Sequence, residues 1–282
     1  MAGINLAKTQ RTKNKTKNQV EFTSINAPKY LENEMAKFNS FMVKSMRKRF
    51  ETKVLKAMSK NTIDKFQDAQ VGNYAVVFNE LFKEFTKSID KQFSQDRIDM
   101  FIKKLFNQAD SYNQARFYGN VSNTMGVDME AILKTDGLNS FKNAKSIQSV
   151  DMLNKLKSDT IIAYKTNVLR RMSAGDSLAD LYQEVKKQTG MRLKSGDLIA
   201  RNELKNFNAE LANKRAENNG ITKGIWVTAQ DERVRDSHAK FNGKEFDIDK
   251  GLYDSTTKQW IKPSEEINCR CTTRYIVNFD ED

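Results

Sequence analysis

Between Leu31 and Val54 apolar residues return every three or four positions: Leu31, Met35, Phe38, Met42, Met46, Phe50 and Val54. That period puts them on one stripe of a helix of about six turns, with Pro28 suited to its first turn. Helical spacing continues over residues 62–118. Ile63 and Phe66 make one patch there; Val76, Val77, Leu81, Phe82 and Phe85 make another; Ile98, Phe101, Ile102, Leu105 and Phe106 a third. The Phe residues share a face with Leu and Ile, which reads as core rather than as a base-stacking platform. Tyr118-Gly119-Asn120 ends this block, and residues 119–150, broken at Gly126 and Gly137, read as short helices and loops.

Periodicity returns from Asp151 to Ser173, through Leu153, Leu156, Ile161, Tyr164, Val168 and Met172. Ala174-Gly175 stops that helix, and Asp176 or Ser177 caps a short one that ends at Gly190. Ser195 or Asp197 then opens a last long helix with Leu198, Ile199, Leu204, Phe207 and Leu211 inside and Gly220 after its end. Beyond Gly220 the pattern changes to β-formers. Ile221–Ala229, Tyr253–Ile261 and Thr272–Val277 are strand candidates, and Asn242-Gly243 is the best hairpin signal. The prediction is an α+β protein, a mostly helical N-terminal body with a small C-terminal β-containing module. Its expected parts are a disordered basic tail (1–26), a helical domain (27–194) and the module (195–282).

Charge adds a direction to this picture. The chain of 282 residues has a net charge of +12, yet from Asp197 onward 14 basic residues face 16 acidic ones. The excess therefore lies upstream, and residues 1–60 alone hold 14 Lys and Arg against four Glu. Lys8, Arg11, Lys13, Lys15 and Lys17 fall in a stretch with no acid before Glu21. They read either as a solvated tail or as an arm on phosphates. Lys44, Arg47, Lys48 and Arg49 lie opposite the first apolar stripe, again a solvated face or a contact with DNA or an acidic partner. No base-reading motif is visible, so any DNA contact is expected to be double-stranded and indifferent to sequence. No apolar run is long enough to span a membrane, and the first 20 residues lack the apolar core of a secretory signal. Two Cys one residue apart make no disulfide framework, which points to an intracellular, reducing origin.

Rare residues gather in the last third. It holds the only His, His238, both Cys, Cys269 and Cys271, and both Trp, Trp226 and Trp260. Ile199-Ala-Arg-Asn-Glu203, Gly220, Trp226, Asp231-x-Arg-Val-Arg-x-x-His238, Gly243, Pro263 and Asn268-Cys-Arg-Cys271 follow one another in order. This set resembles the C-terminal domain of the phage head morphogenesis family, the Mu-type minor head proteins, over about 80 residues. The resemblance implies a non-enzymatic minor capsid protein encoded beside the portal. It would enter the procapsid through the portal, with portal protein or major capsid protein as partner. It would sit in the capsid interior after assembly in the host cytoplasm, and passage into the host with the DNA is open. It also implies that Arg201 and Glu203 brace the module, with Asp231 or Arg235 as partners. Some family members carry toxin enzymes after this domain; with Asp282 five residues past Val277, no room for one is expected here.

Thiolate and imidazole suit zinc, and a structural site wants four ligands. His238, Cys269 and Cys271 supply three. Family members with Cys or His at positions equivalent to Arg235 and Glu266 complete four, so here Glu266 or Asp231 would have to be the fourth. The competing reading is a hydrogen-bonded His238 with two small buried thiols. A zinc-dependent hydrolase or nuclease is the alternative function, but the single His leaves no general base once it ligates metal. A catalytic Cys–His pair would need an orienting acid and an oxyanion donor loop, and neither is evident.

Overall fold

A computed structural model of the chain describes residues 5–8, 10, 12–14, 17–23, 25–59, 71–127 and 137–279, with only the backbone of residues 71–74. The patch of Ile63 and Phe66, and the basic residues Arg11 and Lys15, lie outside these. The chain forms two compact units, one of residues 1–32, 104–145 and 201–282, the other of residues 33–103 and 146–200. One division, between Ala200 and Arg201, lies close to the boundary expected at residue 195, but residues 1–32 and 104–145 belong to the same unit as 201–282. Four long helices pass from one set of residues to the other: α1 (Lys29–Phe50), α4 (Gln95–Met125), α5 (Asn139–Ser173) and α6 (Leu178–Asn218).

In the all-helical unit, α1 continues through a wide π turn, Glu51–Leu55, into the short α2 (Lys56–Ser59). The predicted stripe is buried at Met35, Met42, Met46, Phe50 and Val54. It meets Phe78, Phe82 and Phe85 of α3 (Val71–Gln92) and Tyr164, Val168 and Met172 of α5. Phe50 sits edge-on to Phe85 with ring centroids 5.2 Å apart. Each fully buried Phe of this kind contributes on the order of 1.5–3 kcal/mol. Val76, expected in the apolar patch, is exposed instead, and Phe78 takes the inward position.

Three helix boundaries differ from the sequence reading, each for a local reason. The helix expected over 62–118 breaks after Gln92, where the Ser94 hydroxyl accepts the Arg97 N–H and caps α4, which then runs past Tyr118 to Met125. Helix α5 starts at Asn139, because Ser146 and Ser149 are buried in its stripe and hid the period. Helix α6 does not stop at Gly190. A mid-helix Gly costs about 0.5–1 kcal/mol against Ala, less than packing of the flanking turn supplies. There Val185 and Thr189 are buried, and the Thr189 and Tyr164 hydroxyls lie 2.7 Å apart. The start of α6 is as expected: Ser177 Oγ accepts the Asp180 N–H and Asp180 Oδ2 accepts the Ser177 N–H, a reciprocal cap.

The mixed unit carries a four-stranded antiparallel sheet in the order β1-β6-β2-β3. Its strands are β1 (Gln19–Phe22), β2 (Lys223–Val227), β3 (Glu245–Asp247) and β6 (Thr272–Asn278). The strand β1 belongs to the stretch expected to be a disordered tail. Val20 pairs with Val277 and Phe22 with Tyr275, which puts two apolar residues of the basic arm into a core with Leu6, Phe117 and Ala216. The Thr12 and Lys13 amides both donate to the Met125 carbonyl, so the arm is pinned again at the end of α4. In β2, Gly224 lies opposite Tyr275 and Phe246, and a Cβ there would come 2.6 Å from Thr273 Cγ2, so only Gly fits. Tyr253–Ile261 is not one strand but a separate hairpin, β4 (Leu252–Asp254) with β5 (Gln259–Ile261).

Under the sheet, α6 is anchored by polar groups. Arg215 is fully buried; its guanidinium donates to Asp110 and, at 2.6 Å, to Asn113 Oδ1 on α4. Lys142 reaches the other Asp110 oxygen at 2.7 Å, and Asn113 donates to Asn208. Asn208 in turn donates to the Ile25 carbonyl at 2.6 Å, and Tyr275 donates to Asn213 at 2.8 Å. Removing one partner of a buried charge pair strands the other, so Arg215→Ala should lose about 3–5 kcal/mol. Urea unfolding of wild type and variant measures this; a loss below about 1 kcal/mol would show that Asp110 is satisfied by Lys142 alone.

Candidate functional site

The rare residues converge beside β6. After β2 the chain makes a turn at Asp231, then a single helical turn, α7 (Asp236–Ala239), which carries His238 inward. Asn242-Gly243 is not a tight hairpin loop: it turns the chain from α7 into β3, and Asn242 Oδ1 accepts the N–H and hydroxyl of Thr228. Trp226, fully buried, packs edge-on against the His238 ring at 5.5 Å and against Phe241 at 5.0 Å. Together with Phe246, Ile261 and both cysteines these rings form a small second core.

The Asn-Cys-Arg-Cys segment is a knuckle. Asn268 has φ +60°, a left-handed conformation that Asn tolerates better than most residues, and its N–H donates to Asn202 Oδ1 on α6. The Cys269 amide donates to the Glu266 carbonyl, and the Ser264 hydroxyl donates to the Cys271 carbonyl at 2.8 Å. Between the cysteines, Arg270 points outward and forms a two-pronged pair with Asp231. That pair, with burial opposing and the Arg233 amide assisting, holds the Asp231 carboxyl down at about 2. Its folded value lies below the unfolded one, so the tie is intact above about pH 4 and is lost as pH falls toward 2.

His238 is the centre. Its Nδ1 lies 3.6 Å from Cys269 Sγ and 3.7 Å from Cys271 Sγ, and its Nε2 lies 3.0 Å from Glu266 Oε2. Zinc–sulfur and zinc–nitrogen bonds of about 2.3 and 2.0 Å set a tetrahedral S···N edge of about 3.5 Å, so the observed separations fit a shared ion. Hydrogen bonding to Cys271 outweighs burial and, with the nearby imidazole, brings the Cys269 thiol down to about 5, while the same hydrogen bond and burial push Cys271 up. The lowering favours the thiolate of Cys269, the form a metal takes. A narrow cleft lined by Val234, Arg235 and Asn268 opens toward the two sulfurs.

Glu266 is not a fourth ligand of that set. It faces the opposite ring nitrogen, where it orients the imidazole, as carboxylates commonly do behind a metal-bound histidine. Asp231 is not one either, being taken up by Arg270. Both ring nitrogens of the chain's one histidine are therefore engaged, Nδ1 by the two thiols and Nε2 by Glu266, which is the orienting acid that was not evident from the sequence.

Of the residues expected to brace the module, Glu203 is half-buried on α6 and Arg201 is exposed. Arg235 pairs with Glu266 at 3.1 Å and donates to the Ile267 carbonyl, and neither it nor Asp231 is paired with Arg201. The bridge from α6 to the knuckle is made by asparagines, Asn202 to Asn268 and Asn206 to the Glu265 carbonyl. Only the repetition of Asn along one face of α6 could have pointed to them. Of the basic residues singled out for DNA, Lys8, Lys13 and Lys17 are exposed in the mixed unit, with the Lys13 ammonium near the Asn123 carbonyl. Lys44 and Lys48 are exposed in the helical unit, whereas Arg47 is tied to Glu51 at 2.6 Å and Arg49 is half-buried.

Residues 163–274 match the family model described as Phage Mu protein F like protein. The C-terminal part of this chain is similar to that family. The Mu F-like region begins within α5, well ahead of Ser195, and takes in the knuckle, His238 and Asp231. Two curated proteins are similar. An uncharacterized protein of Haemophilus influenzae is 25% identical over 273 residues, 91% of this chain and 60% of the relative. The NAD(+)–arginine ADP-ribosyltransferase EFV of Enterococcus faecalis is 27% identical over 121 residues, 40% of this chain and 25% of that protein. The chain thus spans about 60% of the first relative and a quarter of the second. No solved structure matches. No helix is long and apolar enough to cross a membrane among the described residues.

Proposed function

We propose that the chain is a minor head protein of a phage particle, a structural part of head morphogenesis rather than an enzyme. The observation that carries this reading is the Mu F-like match over residues 163–274, within which His238, Cys269 and Cys271 meet in one buried cluster and Asp231 holds Arg270 beside it. In this reading the protein binds portal or major capsid protein and lies in the capsid interior, after assembly in the host cytoplasm. Mass spectrometry of purified particles should find it with the portal protein; particles that lack it would sink the assignment.

The cluster, in this reading, holds one zinc on His238 Nδ1, Cys269 and Cys271, with Glu266 setting the ring and the fourth position facing the cleft for a solvent ligand. Such an ion would tie α7 to the start of β6, two segments otherwise joined by a short polar contact set. Purified protein should contain close to one zinc per chain, lost together with thermal stability in Cys269→Ser. Metal-free wild type that melts at the same temperature would leave the thiols as packing residues.

The basic residues of the first 60 would contact double-stranded DNA without regard to sequence. Each phosphate neutralised releases counterions, so the log–log slope of affinity against salt should be about −0.9 per contact. Because β1 is part of the sheet, the fitting comparison is charge removal rather than truncation. Gel shifts on random duplexes should weaken, with a shallower salt slope, when Lys8, Lys17, Lys44 and Lys48 are changed together to Gln. Equal binding by the variant would place the DNA contact elsewhere.

A further inference from the structure

A cleft of about 300 Å³ opens in the mixed unit between the first turn of α1, the middle of α6 and the start of β6. Part of its lining is apolar, with Ile25, Ala209 and Ala212, and its polar groups include Lys29, Glu32, Lys205, Arg270 and Thr273.

Lys205 is the unusual member. It is half-buried, yet it has no hydrogen-bond or ion-pair partner among the described residues. Burial lowers its pKa; Glu32 pulls the other way, and the cations Lys29, Arg270 and Arg201 add to the lowering. A half-buried ammonium of this kind is left unstabilised unless something supplies the missing negative charge. Beside it, Thr273 is 6% exposed and lines the same cleft. A hydroxyl in that lining can donate to an anion held by Lys205.

Charge counting sets the class of ligand. Arg270 is neutralised by Asp231, and Glu32, bound by Lys29 at 2.5 Å, offsets one of the two lysines. The cleft is left with one uncompensated positive charge, which a single negative charge balances. A duplex presents its phosphates on a broad convex rod that meets exposed side chains, not a recessed ammonium. A peptide carboxylate on a flexible side chain reaches it. We propose that this cleft receives a carboxylate from an acidic peptide segment of a partner protein, bound by Lys205 Nζ and Thr273 Oγ1 beside the apolar part of the lining. The proposal stands whether or not the virion assignment holds.

The test uses the full chain and a fluorescein-labelled peptide of alternating Glu and Gly, followed by anisotropy at low salt. Lys205→Met, which keeps the apolar stem, should weaken binding at least about tenfold, and Thr273→Val about threefold. Lys48→Met, which removes an exposed charge on α1, should stay within about twofold. The Thr273 amide should also shift in the NMR spectrum of wild type as peptide is added, a reading that needs no variant. Equal loss in the Lys205 and Lys48 variants would overturn the proposal, as would an unmoved Thr273 amide. Displacement of the labelled peptide by random duplex as readily as by unlabelled peptide would also overturn it, assigning the binding to diffuse charge.

Discussion

One buried guanidinium fixes the frame of the mixed unit. Arg215 has no contact with water, and a charge so placed is tolerable only if every donor is met. Asp110 and Asn113 meet it from α4, and Lys142 completes the Asp110 carboxylate from α5. A directional network of this kind admits one rotation and one height of α6, where apolar packing alone would tolerate sliding. The position of Asn202, Asn206 and Asn213 follows from it, and so does the position of everything those asparagines hold. The Arg215 network is thus a registration device whose effect is felt at the knuckle several turns away.

The knuckle shows how a short motif divides labour. Asn268 supplies the left-handed turn and the tether to α6; Cys269 and Cys271 turn two sulfurs inward; Arg270 between them turns outward to Asp231. Alternation along an extended backbone makes this division automatic, since neighbours point to opposite sides. His238 reads both sides of the result, thiols on one nitrogen and a carboxylate on the other.

How much of this was legible in the sequence depends on what kind of force fixed each feature. The stripe from Leu31 to Val54 was readable because a simple period encodes burial, and Gly220 because a positive φ of 75° at a helix end selects Gly. The β2 and β6 strands were readable from β-branched and aromatic content. The chemistry-bearing residues were readable because they are rare, and His238, Cys269 and Cys271 lie together in the structure. What was hidden rests on tertiary context. Buried Ser146 and Ser149 erased the start of α5, and long-range packing carried α6 through Gly190. The partner of Asp231 proved to be Arg270 rather than a residue of α6, because pairing across a fold leaves no trace in spacing. The strand β1 was hidden inside a run of lysines, where two apolar residues, Val20 and Phe22, were too few to outweigh the charge around them.

That strand has a consequence for the order of events during synthesis. Gln19 pairs with Asn278, so the partner of β1 leaves the ribosome only after some 250 further residues. At about 5–20 residues per second the wait is on the order of tens of seconds. Through that interval Val20 and Phe22 have no sheet to join, and the core around Leu6 and Phe117 lacks its lid. The helical unit, whose residues all lie between 33 and 200, faces no such delay and is free to condense while translation continues. The nascent chain is therefore asymmetric in time: a finished helical half, and a sheet that closes last.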